Sequence, residues 1–182
     1  MSFAQRGAAL LLPLAICIQC DVAGAQSAPD VGALIVGNWR VAPGGFYAEN
    51  PDGSRNFPFG QDAVGRVIMT ADGYAANSFQ RTGRAKCATG TSPMNCTPEE
   101  ATTAFKSAVS YQYRYRLEPD ADNPLKGRII WTVDYVMYPN WQDLTLPRRY
   151  EMERDGSKWV FIAPFPQNPQ LGVKVHLERE RR

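Results

Sequence analysis

Asp-Gly pairs recur between runs of strand-forming residues, and this repeat constrains the fold more than any other feature of the chain. They stand at Asp52-Gly53, Asp72-Gly73 and Asp155-Gly156. Gly and Asp tolerate the positive φ angle that tight hairpin turns need, so an Asp-Gly pair between two extended runs predicts an antiparallel hairpin. We therefore expect an antiparallel β-meander, in which strands adjacent in sequence are also adjacent in space.

Alternation of apolar and polar residues with a period of two indicates strands along most of the chain. The Gly pair within Pro43-Gly44-Gly45 indicates a bulge or sharp bend in the first of them. An aromatic face is clearest in the run of Tyr111, Tyr113 and Tyr115. The expected strands cover residues 34–49, 55–59, 64–70, 74–80, 110–117, 128–138, 144–154, 158–163 and 171–178.

One short helix is expected between the fourth and fifth strands. Thr97 can cap its N-terminus, Pro98 suits the first helical position, and Glu100 completes a Thr-x-x-Glu capping box. The apolar stripe that follows is narrow, and Phe105 is its expected anchor against the body of the domain.

Eight or nine strands joined mostly by short hairpins predict an all-β domain over residues 26–182. A long antiparallel sheet must close or fold over to remove its exposed edges. We expect an eight- to nine-stranded up-and-down barrel, whose interior can hold side chains or one small ligand. A β-sandwich is the alternative.

Residues 1–25 have the pattern of a secretory signal peptide. Arg6 precedes an apolar run from Ala8 to Cys17, and Ala23-Gly24-Ala25 supplies the small residues of a cleavage site. The run is short for a permanent membrane span, although an uncleaved anchor is the alternative. We expect cleavage after Ala25, a periplasmic location and no stable membrane insertion of the mature chain.

Two cysteines, Cys87 and Cys96, remain after removal of the signal peptide. An even pair in an oxidising compartment predicts a disulfide bond, worth about 2–3 kcal/mol by the chain-entropy estimate. A redox-active pair is the less favoured alternative, since the spacing is far from Cys-x-x-Cys. No metal or cofactor is expected, because the only histidine, His176, is distant in sequence.

The charge balance does not indicate a nucleic-acid partner. The formal net charge is +2, and charged residues make up 21% of the chain. Nucleic-acid binding normally requires a clustered basic face. Arg179, Arg181 and Arg182 are interrupted by glutamates, so we interpret them as a solvated tail.

Several short motifs occur along the chain in a characteristic order and spacing. They are Gly37-Asn38-Trp39-Arg40, Phe57-Pro58-Phe59-Gly60, residues 65–69 with Asp72-Gly73-Tyr74, residues 105–115, Tyr138-Pro139-Asn140-Trp141 and Arg148-Arg149. This pattern resembles that of the bacterial lipocalin-like domain family. The resemblance covers nearly the whole mature chain and implies an eight-stranded barrel with an internal cavity. Family members often carry histidines in the strand that here reads Ile129 to Val133, and this chain has none there.

The resemblance implies a structural role for Trp39. In lipocalin-like barrels a Trp at this point plugs the closed end, often beneath a basic side chain from a late strand. Arg149 or Lys174 is the expected covering partner, through a cation–π contact.

Arg148 is the most informative candidate for a ligand-binding residue. It shares a strand face with Leu144, Leu146 and Tyr150. One interpretation is that it pairs with Asp134 or a glutamate, or faces solvent, because an unpaired buried charge is costly. The other is a cavity arginine that holds the carboxylate of a ligand.

Aromatic side chains on the same strands could line an apolar cavity, as small-molecule pockets require. The tentative ligand-binding set is Arg148, Tyr113, Tyr115, Trp131 and Tyr135, with Tyr111 beside it; plain core packing is the alternative. We expect a binding protein for a small apolar or amphipathic molecule.

Catalysis is the second hypothesis. No catalytic residues are assigned, since nothing resembles a nucleophile elbow or a triad and His176 is expected to be exposed. Asp134 beside Arg66 or Arg148 could act as an acid or base, as in a lipocalin-like isomerase or cyclase. A module filled by its own aromatic side chains is a third, weaker hypothesis.

Overall fold

The computed structural model describes residues 29–88 and 92–180. The expected signal peptide and its cleavage site lie outside these ranges. The described chain contains two α-helices, α1 (Val31–Ile35) and α2 (Pro98–Lys106). Its strands are β1 (Gly37–Glu49), β2 (Arg55–Asn56), β3 (Val64–Met69), β4 (Tyr74–Gln80), β5 (Ala108–Pro119), β6 (Lys126–Val136), β7 (Thr145–Met152), β8 (Lys158–Phe165) and β9 (Asn168–Arg179).

Eight strands close into an antiparallel barrel. β1 pairs with β3, each later strand pairs with the next in sequence, and β9 returns to pair with β1. The closing register places Trp39 opposite Arg179 and Ala48 opposite Val173. β2 is not one of the eight barrel strands and pairs with the C-terminal end of β1. The predicted up-and-down barrel is therefore confirmed, and the sandwich alternative is excluded by the closure.

The Asp-Gly turns form where the sequence predicts them, but the two residues of each pair do not share the positive φ angle. Gly53, Gly73 and Gly156 have positive φ angles, whereas the aspartates do not. The aspartate side chains accept local hydrogen bonds instead, as Asp52 does from the backbone N–H of Ser54 at 2.9 Å. Only the glycine needs the left-handed conformation, and the aspartate stabilises the turn through its carboxylate.

The bulge predicted in the first strand is present. The β1–β9 register shifts between Val41 and Phe46, across Pro43-Gly44-Gly45. A Cβ on Gly45 would lie 2.8 Å from the carbonyl oxygen of Ala42, so the tight backbone path requires glycine there. β1 pairs with β3 only from Gly37 to Arg40, and the two strands separate beyond that point.

One end of the barrel is sealed around Trp39, which is fully buried. Its indole Nε1 donates a 2.8 Å hydrogen bond to the carbonyl of Ile35 at the end of α1. The guanidinium carbon of Arg179 lies 4.2 Å from the centroid of the indole ring. The covering cation is thus Arg179 rather than Arg149 or Lys174, and Arg179 does not belong to a solvated tail.

α2 begins as predicted, with Thr97 and Glu100 forming a reciprocal capping box. The expectation that Phe105 anchors the helix is wrong, since its side chain is 42% exposed and no residue of α2 is buried. The preceding segment is attached to the helix covalently, because Cys87 and Cys96 form a disulfide with 5.3 Å between their Cα atoms. Neither α-helix of the described chain has the length or apolar character of a membrane-spanning segment.

The strand registers define two ends of the barrel. The β3–β4, β5–β6 and β7–β8 turns lie at the closed end with Trp39, as the registers of these pairs require. The opposite, open end carries the long connections: residues 50–63, residues 81–107 with α2, and residues 137–144. Binding residues are most often found on such loops held by a rigid scaffold.

Candidate ligand-binding site

A partly open pocket of about 420 Å³ lies at the open end of the barrel. Its strand-borne wall is apolar and aromatic: Phe46, Phe79, Val109, Phe161, Val173 and Val175. The loops of the open end add Pro58, Phe59, Tyr138 and Trp141, and Phe165 contributes from the end of β8. This size and lining fall within the usual range of small-molecule sites.

Aromatic contacts hold the loops against the barrel wall. Phe59 packs edge-on against Phe46, with ring centroids 5.1 Å apart. Trp141 lies edge-on to Tyr111 at 5.7 Å and to Tyr138 at 5.8 Å. Because edge-to-face pairs add stability beyond their buried area, these contacts give the pocket a defined shape without a ligand.

Arg148 on β7 supplies a half-buried charge to the pocket wall. Its guanidinium carbon lies 5.2 Å from the ring centroid of Trp131, and one terminal nitrogen donates to the carbonyl of Pro147 at 3.0 Å. Burial lowers the pKa of Arg148, and the electron-rich phenols of Tyr111 and Tyr113 act in the opposite direction. Arginine starts from so high a pKa that the side chain stays charged at neutral pH.

A hydrogen-bonded group of Asn77, Tyr111 and Tyr113 lies beside this charge. The amide nitrogen of Asn77 donates to the hydroxyl of Tyr111 at 2.9 Å, and its amide oxygen accepts from Tyr113 at 2.9 Å. Burial raises the pKa of Tyr111 to about 12 and raises that of Tyr113 as well. Both phenols therefore remain protonated at neutral pH and can act as donors.

The five residues of the tentative binding set have different locations. Arg148 lines the pocket. Tyr113 and Trp131 are fully buried in the adjoining core, with ring centroids 4.5 Å apart, and do not line it. Tyr115 donates to the carbonyl of Thr70 at 2.7 Å, near the closed end.

Tyr135 lies on the outside of the barrel, with 70% of its surface exposed. The alternation of β6 had placed it on the same face as Trp131. In the structure Tyr111 pairs with Val136 but Tyr113 pairs with Val133, so one extra residue, Asp134, is accommodated in β6. This bulge reverses which face the following residues occupy, and the expected cavity position of Tyr135 is not met.

Asp134 does not lie beside Arg66 or Arg148. Its carboxylate faces Arg114 at 3.4 Å on the barrel exterior. Of the residues in the two described ranges, no aspartate or glutamate lines the pocket. The candidate acid or base of the isomerase hypothesis is therefore separated from the cavity.

Several residues of the pocket were not assigned to it from the sequence. Lys106, at the end of α2, adds an exposed second cation at the rim. Tyr138 and Trp141 belong to a motif that carried the family resemblance, and their aromatic character in a loop was the available signal. Asn77, which is buried behind Tyr111 and does not line the pocket, gave no signal, since a single polar residue in a strand does not reveal its partners.

His176 lies on the outer face of β9, as expected, but is not exposed. Its ring stacks on Tyr47 with centroids 5.6 Å apart, and its Nε2 lies 3.2 Å from the Tyr47 hydroxyl. The guanidinium carbon of Arg55 lies 4.2 Å from the centroid of the Tyr47 ring. A second, more polar depression of about 520 Å³ opens beside this group.

The described residues offer one cluster with metal-ligand atoms, formed by Cys87, Cys96 and Glu100. The two sulfur atoms are bonded to each other, so neither is a thiolate available for coordination. The carboxylate of Glu100 is already engaged by the backbone N–H groups of Ala88 and Thr97. This cluster therefore links the start of α2 to the preceding segment and is not a metal site.

Comparison with known proteins agrees with the barrel. The model of the lipocalin-like domain family matches residues 36–168. No curated protein matches the chain. The matched segment extends from the start of β1 to the start of β9 and includes the residues that line the pocket except Val173 and Val175. The chain belongs to the lipocalin-like domain family.

Proposed function

We propose that this protein binds a small apolar or amphipathic molecule in the pocket at the open end of the barrel. The observation that carries the proposal is the pocket itself, in which about 420 Å³ is bounded by aromatic and aliphatic side chains. A filled core would leave no such space, since protein interiors are close-packed. Binding is favoured over turnover because the carboxylate required for the isomerase hypothesis lies outside the barrel, paired with Arg114.

We further propose that the protein acts in the periplasm after removal of residues 1–25. The leader pattern and the disulfide between Cys87 and Cys96 support this location, because disulfides persist in oxidising compartments. The mature protein from the periplasm should have the mass of a chain that begins at Gln26, two mass units below its fully reduced form. An intact leader or two free thiols would contradict the proposed location.

Titration with a neutral apolar fluorophore, N-phenyl-1-naphthylamine, tests the binding function. The native protein should bind it saturably, with a blue-shifted and brighter emission. Val109→Trp should abolish binding because the larger side chain fills the pocket. Val64→Trp is the matched control, since Val64 is exposed on the outside of β3.

The proposal is overturned if binding is not saturable, or if Val109→Trp and Val64→Trp bind equally well. Native mass spectrometry of gently purified protein gives independent evidence. A small molecule that leaves on denaturation would identify the ligand class directly.

A further inference from the structure

The interior beside the pocket contains buried donors that lack acceptors. In the described part of the chain, neither Nε of Arg148 nor Nε1 of Trp131 has a hydrogen-bond partner. Buried polar groups in native proteins are nearly always paired, so each exception calls for an explanation. These two belong to one contact, because the Arg148 guanidinium lies over the Trp131 ring.

The tyrosines provide a third donor. Asn77 offers one acceptor and one donor side, and each is used by one phenol. Tyr113 gives its proton to the amide oxygen, so the hydroxyl of Tyr111, which accepts from the amide nitrogen, keeps its own proton. Tyr111 lines the pocket, whereas Tyr113 does not. The free proton is therefore on the side chain that a ligand can reach.

The charge of Arg148 also lacks a counter-ion. None of the ion pairs formed among the described residues, 29–88 and 92–180, includes Arg148. An uncompensated buried charge is costly, and a stacked ring compensates it only in part. The pocket thus presents an excess of positive charge and donors, with no acidic side chain in its described lining.

We propose that the pocket takes an amphipathic carboxylate, whose head group binds Arg148 and the hydroxyl of Tyr111 and whose apolar tail fills the aromatic mouth. The proposal rests on the proposed binding function and assigns the ligand its charge and orientation. A carboxylate matches the guanidinium in geometry and supplies acceptors for the unpaired donors of Arg148 and Tyr111, the two that line the pocket.

The pocket should prefer a ligand head group with one negative charge over a head group with two. Arg148 is the half-buried cation of the described pocket lining, and Lys106, the other cation, is exposed to solvent. A second negative charge on the head group would be buried without a partner, whereas a monoanion is neutralised.

The orientation of the ligand follows from the positions of the lining residues. Arg148 and Tyr111 lie within strands, while Phe59, Tyr138 and Trp141 come from loops at the mouth. The head group therefore lies inside the barrel and the tail extends toward the loops. Each added methylene should tighten binding about fourfold until the tail fills the pocket.

Competition between decanoate and 1-decanol for the bound fluorophore tests this assignment. The native protein should bind decanoate at least about tenfold more tightly, as a charge-assisted bond predicts. Arg148→Met should remove that difference while keeping decanol affinity, and Tyr111→Phe should weaken decanoate binding severalfold. Arg128→Met, which removes an exposed cation outside the pocket lining, is the control and should change the ratio less than about twofold.

The two proposals fail in distinguishable ways. If the fluorophore itself does not bind saturably, the proposed function fails and the carboxylate assignment fails with it. If the fluorophore binds but neither compound displaces it, the binding function stands and the assignment of an amphipathic carboxylate is wrong. If both bind equally, or if Arg148→Met leaves the ratio unchanged, only the assignment of an anionic head group is wrong. Decyl phosphate separates the head groups: it should bind more weakly than decanoate, and tighter binding would overturn the selection of a monoanion.

Discussion

Arg179 on the last strand covers the indole of Trp39 on the first, with the guanidinium carbon 4.2 Å from the ring centroid. The same guanidinium donates to the carbonyls of Leu34, Val36 and Gly156. One side chain thus joins the end of α1, the β7–β8 turn and the plug of the barrel.

Replacement of Arg179 by Ala should lower the free energy of unfolding by about 2–3 kcal/mol, because three carbonyls lose a charged donor and the ring loses its cation. Arg179→Lys should recover only part of this, since an ammonium group cannot reproduce the planar fork. Urea unfolding measures both. Arg66→Ala is the control: it removes an exposed ion pair with Glu180 and should lower the free energy of unfolding by less than about 1 kcal/mol. An equal loss of stability in Arg179→Ala and Arg66→Ala would refute this role of Arg179.

Gly37 is required by the same arrangement. Its φ angle is +143°, and a Cβ would lie 2.6 Å from a terminal nitrogen of Arg179. Gly37→Ala should therefore destabilise the barrel by about 2–4 kcal/mol through strain and displacement of that guanidinium. Gly44→Ala is the matched control: Gly44 has a φ of +65° but open space around it, so the expected cost is about 1–2 kcal/mol in thermal or urea unfolding. A smaller loss at position 37 than at position 44 would contradict the steric argument.

Arg148 should impair stability in the absence of a ligand. Arg148→Met removes a half-buried charge that has no counter-ion among the described residues, and we expect the ligand-free protein to gain about 1–2 kcal/mol in unfolding free energy. Arg128→Met, which removes an exposed partner of Glu118, should change stability by less than about 1 kcal/mol. A loss of stability in Arg148→Met would mean that the arginine serves the fold rather than a ligand.

His176 should make stability depend on pH in the mildly acidic range. Burial, with smaller contributions from Lys174 and Arg55, lowers its pKa in the folded protein from the ordinary value of 6.5. The unfolded chain binds the proton more tightly, so stability is complete above about pH 6.5 and is lost as the pH falls through the lowered pKa. Because His176 is the only histidine, His176→Gln should flatten the urea-unfolding profile between about pH 7 and pH 5. An unchanged slope would show that another group titrates in this window.

The disulfide should stabilise its own segment more than the barrel. Cys87 and Cys96 join residues next to α2, which has no buried side chain. In a Cys87→Ser/Cys96→Ser variant, hydrogen exchange should accelerate in α2 while the amides of β6 and β7 keep their protection. The global loss should not exceed about 2–3 kcal/mol. Equal acceleration in the barrel strands would show that the cross-link supports the whole domain.

The sequence was sufficient for the strand order and for most strand boundaries. Period-two alternation and turn residues are local signals, and the structure follows them from β3 to β9. Closure was inferred from the need to remove sheet edges, and the pairing of Trp39 with Arg179 meets that need. Helix α1 was not expected, because its last two residues, Leu34 and Ile35, were interpreted as the start of the first strand.

The site was harder to predict because it depends on departures from local regularity. The bulge at Asp134 moves Tyr135 to the outside of the barrel. The alternation of apolar and polar residues in the sequence does not reveal such a bulge. The loop residues Phe59 and Trp141 enter the pocket through contacts between distant segments. Arg148 could be identified because a charge on an apolar strand face is anomalous in the sequence itself.

The closure of β1 onto β9 also determines the order in which the molecule can assemble. Arg40 and Glu178, which pair across this seam, are 138 residues apart, whereas every other barrel strand meets its sequence neighbour. The hairpins can form early, but the ring cannot be completed until the final strand is available, and such non-local pairing is slow. Until then two strand edges remain open to pairing with other chains. The pairing of β9, Asn168–Arg179, with β1 therefore decides when the open sheet becomes a closed barrel.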